Sequence, residues 1–233
     1  MFELKDVERA MEIVKNLDLP RDFGIDADDD FDTYDIEEQI SDVVNGDFFV
    51  TNGVSKMVIV PNELPFVIKI PFNGRYTYGD NYYNEEDEDD TYFFYFMMAE
   101  SELSEDDYCE KELELTDEIK AEGFGKFVPD MMYIGKCCGH NVYIQDKVKP
   151  MSECSKTIHP TEDSLSKSRQ ITAPFLDAWA ALVIDTYGED NYNKFLEWAR
   201  ENEPDVLSDM HSANYGIDKQ GNPVLLDICG FRD

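Results

Sequence analysis

The chain has 233 residues, which is enough to bury a core as one large domain or as two smaller lobes. Apolar residues make up 42% and aromatic residues 13%, and this excludes a disordered chain despite the high charge. Fifty-two acidic and twenty basic side chains give a formal charge of −32, which argues against nucleic acid or an anionic membrane as a partner and favours a basic protein or bound cations.

The first 40 residues are predicted to contain a short helix and an acidic loop. Over residues 4–17, apolar side chains recur at helical spacing, at Leu4, Val7, Met11 and Val14. Residues 26–38 are rich in carboxylates at the spacing of a calcium-binding loop. Because Phe31 stands where the sharp turn of such a loop needs glycine, we interpret this segment as an acidic loop without calcium.

Five β-rich runs predict an antiparallel sheet. They cover residues 48–50, 56–60, 66–70, 131–134 and 142–148. Asn52-Gly53 is a hairpin signal between the first two runs, and Pro61-Asn62 is a turn signal before the third. The first three runs therefore form a meander.

An insert and a helix separate the third run from the fourth. The insert covers residues 73–103, is rich in Tyr, Asp and Glu, and is continuously acidic over 85–90. Ser104, with Asp107 three residues later, resembles a capping box, and we predict a helix from there to about Ala121.

The C-terminal part is predicted to be mainly helical and to end in two polar motifs. Its predicted elements are helices at 175–187 and 192–201 and a hairpin turn at 221–222. Asn214 follows Asp209 by five residues, and Asp227 ends the short apolar strand after the hairpin.

Lys69 and Glu112 are candidates for a buried ion pair. Lys69 lies in an apolar strand, where the alternative is a side chain that alternation directs to solvent. Glu112 lies among apolar neighbours at helical spacing, and the alternative is that it only borders this stripe in a glutamate-rich helix. Since an unpaired buried carboxylate is costly, we predict that Lys69 pairs with Glu112.

The turn at residues 51–56 is a candidate phosphate-binding loop. Its backbone N–H groups, with Ser55 and Lys56, are suited to hold a phosphate. It lacks the Gly-x-Gly-x-x-Gly pattern, and a plain hairpin turn is the alternative.

Together these blocks resemble a reduced member of the protein-kinase-like superfamily, nearer to aminoglycoside-phosphotransferase-type and phage-encoded kinases than to eukaryotic ones. The resemblance spans most of residues 45–230 and rests on Ser55-Lys56, Lys69, Glu112, Asp146-Lys147-Val148, Asp209, Asn214 and Asp227. It implies an α+β, bilobal kinase-like fold, in which the N-lobe has a five-stranded antiparallel sheet with one packed helix and the C-lobe is truncated and mainly helical. The implied boundaries are 1–40 for the N-terminal helix and acidic loop, 41–148 for the N-lobe and 149–233 for the C-lobe.

The resemblance also implies roles for the polar residues, with ATP and Mg²⁺ as cofactors. Lys69, held by Glu112, would place its ammonium over the triphosphate. Asp209 would accept or orient the proton of the attacking hydroxyl, and Asn214 and Asp227 would bind magnesium. Asp146 and Val148, in the link between the lobes, would receive the adenine through backbone groups.

The chain departs from the family pattern in three places. Leu207 stands where a histidine usually precedes the catalytic aspartate, and Ile228-Cys229 follow Asp227 in place of Phe-Gly. The chain stops at Asp233, so the activation segment and the helical platform are expected to be missing. We expect nucleotide binding to survive these departures better than docking of a protein substrate.

The sequence therefore predicts an ATP- and magnesium-dependent phosphotransferase acting on a hydroxyl, including Ser or Thr of a basic protein. One alternative is a pseudokinase or acidic module that captures a basic partner. Another is a nucleic-acid mimic that uses the carboxylate rows at 26–38 and 80–90. No direct nucleic-acid or membrane binding is expected. Without a signal peptide, an apolar run of about 20 residues or a paired cysteine pattern, we expect a cytoplasmic protein, in the host cytoplasm if phage-encoded.

Overall fold

The computed structural model describes residues 2–19, 33–52, 55–72, 75–76, 103–104, 107–154, 160–171, 177–207 and 213–228. The candidate base Asp209, most of the predicted insert and the first half of the predicted acidic loop lie outside these ranges. Within the described ranges, no helix has both the length and the apolar character that crossing a bilayer would require.

The described residues form six helices and ten strands, many of the strands short. The helices are α1 (Leu4–Lys15), α2 (Thr33–Ser41), α3 (Tyr108–Ala121), α4 (Glu162–Ile171), α5 (Asp177–Tyr187) and α6 (Glu189–Asn202). The strands are β1 (Phe48–Asn52), β2 (Lys56–Pro61), β3 (Phe66–Pro71), β4 (Arg75–Tyr76), β5 (Leu103–Ser104), β6 (Met131–Cys137), β7 (His140–Asp146), β8 (Lys149–Pro150), β9 (Tyr215–Ile217) and β10 (Pro223–Leu225).

The main sheet has five antiparallel strands, as predicted, and their order is β1-β2-β3-β7-β6. The first three strands form the expected meander. The chain then passes through α3 to the far edge, and the β6–β7 hairpin returns it to β3, so that β7 lies centrally. The α+β class is thereby confirmed.

One face of this sheet is covered by the N-terminal helices. Side chains alternate along a strand, and those of one parity join a single apolar core with α1 and α2. The strand members of this core include Met57, Ile59, Phe66, Ile68, Ile70, Val142 and Ile144. We predicted one helix packed on the sheet, but three helices contact it. Helices α1 and α2 cover one face, and α3 covers the opposite face.

The predicted acidic loop is partly a helix. Residues 33–41 form α2 because Ile36 and Ile40, four residues apart, lie one above the other on the same helix face, and both are buried in the core. The carboxylates that suggested a loop do not prevent this, since a helix needs only one apolar stripe.

Helix α3 begins later than predicted. Its N-cap is Asp107 rather than Ser104, and the Asp107 carboxylate accepts hydrogen bonds from the N–H groups of Cys109 and Glu110. Ser104 lies instead in the short strand β5. An aspartate satisfies the unpaired N–H groups of a first turn as well as a serine does, so either residue of the motif could have served as the cap.

The C-terminal part packs around aromatic side chains. Its core contains Phe127, Trp179, Tyr192 and Phe195, with Phe124 and Trp198 against them. Helix α4, which the sequence analysis missed, starts where Thr161 Oγ1 accepts a hydrogen bond from the Ser164 N–H at 3.1 Å.

A small three-stranded sheet, in the order β10-β9-β8, completes the fold. The predicted turn between β9 and β10 is present, with Gly221 at φ +89°. At Gly216 of β9, an added Cβ would lie 2.3 Å from the Lys149 carbonyl oxygen of β8. Glycine at this position therefore allows the two strands to approach each other closely.

Candidate active site

The face of the main sheet that α3 covers carries two lysines on neighbouring strands. Lys69 of β3 lies opposite Val58 of β2, and Lys56 is two residues before Val58, so both lysines project from the same face. Both side chains are buried, which excludes the solvent-facing alternative for Lys69. The cost of burying two ammonium groups requires acidic partners nearby.

Glu112 of α3 is the shared partner. Its Oε1 accepts from Lys69 Nζ at 2.6 Å and from Gln145 Nε2 at 3.0 Å, while Lys56 Nζ lies 3.2 Å from its Oε2. The predicted contact between Lys69 and Glu112 is therefore present in the structure. Both carboxylate oxygens are used, so the buried charge is fully hydrogen-bonded.

The charges hold one another in the ionised state. Burial by itself raises the pKa of Glu112, but the ammonium groups of Lys56 and Lys69 outweigh burial and hold the pKa well below its usual value. Burial by itself lowers the pKa of Lys56, but Glu112 and Asp227 outweigh it and hold the pKa well above its usual value. Glu112 and Lys56 are therefore both charged at neutral pH.

Asp227 reaches this cluster from the other end of the chain. Its Oδ1 lies 2.5 Å from Lys56 Nζ, and its backbone is in the left-handed region at φ +48°. Leu226 N–H donates to the Asn214 carbonyl at 2.7 Å, continuing the pairing of Tyr215 with Leu225. Asn214 and Asp227 thus stand at the same end of the hairpin whose turn the sequence predicted at residues 221–222.

No family model, curated protein or solved structure matches this chain. The arrangement of its own residues is therefore what the functional proposal rests on.

Lys56 begins β2, as the predicted strand at residues 56–60 had it. Its side chain, which we considered with Ser55 as a phosphate ligand of the turn, is buried between Glu112 and Asp227. Ser55 lies just before the strand, and its carbonyl accepts from the Phe72 N–H. The tip of this turn, residues 53–54, and the candidate base Asp209 are outside the described residues.

The proposed adenine-binding segment lines a cavity of about 260 Å³. Asp146 and Val148 both contribute to its wall, together with Tyr187 and Val224. The Asp146 N–H donates to the Asp130 carbonyl at 2.8 Å and the Lys147 N–H to the Pro65 carbonyl at 3.3 Å, so two backbone donors of the segment are engaged within the chain. Lys56, Lys69, Glu112 and Asp227 do not line this cavity, so the cavity and the charged cluster are separate parts of the structure.

Two valines lie beside the lysines. Val58 is opposite Lys69, and Val67 is two residues before it on β3, so both share the lysine-bearing face. Val58 is only partly buried, whereas the side chains that alternate with it, Met57 and Ile59, are fully buried in the core on the other face. This gives the face an apolar surface next to its positive charges.

Gln145 is a member of the site that the sequence analysis missed. It lies on β7 opposite Val67, is buried, and donates to Glu112. The sequence does contain a signal for Gln145, because an uncharged polar residue at an inward position of a central strand requires a buried hydrogen-bond partner. Alternation from the apolar residues Val142 and Ile144 places Gln145 on the face of α3.

Proposed function

We propose that this chain is an ATP- and magnesium-dependent phosphotransferase that acts on a hydroxyl group, with Ser or Thr of a basic protein as the acceptor class. The observation that carries the proposal is the meeting of Lys56, Lys69, Glu112 and Asp227, which come from two strands, a helix and the end of a C-terminal hairpin. Transfer of a phosphoryl group depends mainly on positioning and on neutralising charge, and fixed ammonium and carboxylate groups provide both.

The oxygen donors at the hairpin end suit magnesium. Asp227 supplies a carboxylate and Asn214 an amide oxygen, and hard cations such as magnesium prefer oxygen ligands of these types. In the proposal these two residues hold the metal, whose chemistry is to neutralise the charge of the phosphates. Lys69, fixed by Glu112, keeps a positive charge near the nucleotide, and Asp209 accepts or orients the hydroxyl proton.

The neighbouring groups support a nucleotide as the ligand. Val58, which is partly exposed and shares its face with the buried Val67, offers an apolar surface for a base beside the lysines, and residues 146–148 connect the sheet to the C-terminal part. A bilobal kinase-like arrangement is part of the proposal: β1–β3, β6, β7 and α3 form one half, and β8–β10 with α4–α6 form the other. Adenine would then lie between the valines and residues 146–148.

The test is thermal unfolding with ATP, with and without magnesium, followed by transfer of labelled phosphate to lysine-rich and to acidic Ser/Thr peptides. At a ligand concentration about 100-fold above Kd, binding should raise the midpoint by about 5 °C or more in the presence of magnesium. Lys69→Ala and Asp227→Ala should abolish transfer.

A matched control separates the site from general loss of charge. Asp163 is also exposed and paired with a lysine, at 3.0 Å from Lys167, and it does not line the cavity at residues 146–148, so Asp163→Ala should keep both the shift of the thermal midpoint and transfer. Transfer that persists in both Lys69→Ala and Asp227→Ala would contradict the proposal, as would a wild type that shows neither stabilisation nor transfer.

A second candidate is a binding protein that captures a basic partner without catalysis. The formal charge of −32 favours it, and so does the pairing of Asp227 with a lysine at the position proposed for metal binding. Partner binding would then weaken with salt and remain unchanged in Lys69→Ala. Magnesium-dependent stabilisation by ATP without any transfer would favour a pseudokinase form of this candidate.

A further inference from the structure

The four charges of the cluster differ in how far they reach solvent. The side chains of Lys56, Lys69 and Glu112 are 6%, 5% and 1% exposed, whereas that of Asp227 is 45% exposed. A ligand that arrives from solvent therefore meets Asp227 first. The Lys69–Glu112 pair lies behind it and cannot exchange partners without leaving a charge buried and unpaired.

Lys56 is the member that connects the buried pair to the exposed carboxylate. Among the described residues, Lys56 is the only cation within ion-pair distance of Asp227, with its Nζ 2.5 Å from Asp227 Oδ1. The same Nζ lies 3.2 Å from Glu112 Oε2. Glu112 holds Lys69 and Gln145 at Oε1, whereas its Oε2 has Lys56 as partner. Lys56 can thus exchange Asp227 for another anion while it keeps its contact with Glu112 Oε2.

We propose that Lys56 is a latch that occupies Asp227 in the ligand-free protein and moves its ammonium to a phosphate oxygen when a magnesium polyphosphate binds. The inference rests on the proposed function and adds a positioning residue to it. Two lysines thereby receive different tasks: Lys69 fixes Glu112, and Lys56 exchanges partners.

The exchange is balanced in charge. The Lys56–Asp227 contact breaks, and each of its ends gains a new partner: Asp227 the magnesium of the ligand, and Lys56 an oxygen of the phosphates. No magnesium–phosphate contact within the ligand has to break. Magnesium alone would displace the ammonium without giving it a new anion, and a polyphosphate alone would leave Asp227 unpaired beside it. Each ligand therefore binds weakly by itself, and the two bind cooperatively.

The latch predicts that removing the Lys56 ammonium strengthens magnesium binding rather than weakening it. Lys56→Met frees the Asp227 carboxylate, so MgCl₂ without nucleotide should bind about tenfold more tightly than to the wild type. The same variant should bind ATP with magnesium less tightly, because the phosphate loses its ammonium. A residue with only a structural role would weaken both interactions or neither.

The measurement is calorimetric titration with MgCl₂ alone, with ATP in chelator, and with ATP plus MgCl₂. Lys167→Met is the matched control, since it breaks another Lys–Asp pair, at 3.0 Å from Asp163, and should leave all three affinities unchanged. Lys69→Met should not tighten magnesium binding, because Lys56 still covers Asp227. Lys56→Met combined with Asp227→Ala should lose the gained magnesium affinity.

Unchanged or weaker magnesium binding by folded Lys56→Met would overturn the latch. If that variant does not unfold cooperatively, Lys56→Gln, which keeps a hydrogen-bond donor, replaces it with the same expected sign; failure of both to fold would assign Lys56 to the framework and overturn the proposal. Tighter magnesium binding in the variant, with no ATP binding by any form, would support the latch and contradict the proposed function.

Discussion

At the residue scale, Glu112 is the residue on which the site is built. A fully buried carboxylate is unfavourable unless it is neutralised and hydrogen-bonded. Here two ammonium groups and one amide donate hydrogen bonds to the Glu112 carboxylate. The cluster contains two positive and two negative groups, so it carries no net charge in the interior. Removing any one of the buried members leaves an uncompensated charge.

The first residue-scale prediction concerns Glu112→Gln. This variant leaves two buried lysines with one carboxylate, and we expect it to lower the free energy of unfolding at pH 7 by about 3–5 kcal/mol. Chemical denaturation followed by circular dichroism measures this. Glu114→Gln, on the same helix and exposed, is the control and should change little. A difference below about 1 kcal/mol would contradict the buried ion cluster.

The same variant has a predicted pH dependence. Because the pKa of Glu112 is lower in the folded than in the unfolded protein, its ionisation stabilises the fold above the unfolded pKa of about 4.3. That stabilisation is lost as the pH falls from there through the lower folded pKa. The stability difference between wild type and Glu112→Gln should therefore be constant from pH 7 to about pH 5 and should shrink below about pH 4.

At the element scale, helix α3 is held by its first turn. One oxygen of Asp107 accepts from the N–H groups of Cys109 and Glu110, and the other accepts from Asn141 Nδ2 at 2.7 Å and from Tyr143 Oη at 2.8 Å. The cap thus also fixes α3 to strand β7. Since Glu112 lies on the next turn, this cap sets where its carboxylate meets the lysines.

Asp107→Ala tests this element. Loss of the cap should cost about 1–2 kcal/mol, with more lost because the buried Tyr143 hydroxyl is left without its acceptor. Asp107→Asn keeps one acceptor oxygen and should be intermediate. Denaturation curves give the stability, and hydrogen exchange at residues 109–112 shows whether the first turn frays. Protection equal to wild type in Asp107→Ala would contradict the role given to the cap.

At the scale of the whole molecule, the charge opposes compactness. A formal charge of −32 repels itself, and it also repels the polyphosphate of a nucleotide at long range. Lys56 and Lys69 offset that field only locally. Any protein that approaches the molecule favourably should therefore be basic.

The expected result is that salt stabilises the fold. Raising NaCl from about 0.01 M to about 1 M shortens the screening length from about 30 Å to about 3 Å, so surface repulsion falls while the buried cluster is hardly affected. The thermal midpoint should rise across this series, and binding of a lysine-rich peptide should weaken. A midpoint that falls with NaCl would show that attractive surface pairs dominate instead.

Local sequence patterns explain why part of the fold and site could be predicted. An apolar β-rich run after a turn signal placed Lys69 in a strand, helical spacing placed Glu112 on an inward stripe, and the cost of burying a charge paired them. The same local rules placed Lys56 at the start of a strand but did not indicate its ion pairs with Glu112 and Asp227, which come from distant parts of the chain. They also missed α2, where two isoleucines decide the structure among many carboxylates.

The sequence by itself determined the five strands, the helix that carries Glu112, and the hairpin that brings Asn214 beside Asp227. These depend on steric preferences and apolar spacing within a few residues. Only the tertiary structure decided that Lys56, rather than Lys69, meets Asp227, since the two residues are 171 positions apart. Such a contact depends on how the C-terminal hairpin docks against the sheet, and that is set by packing of the whole chain rather than by any local pattern.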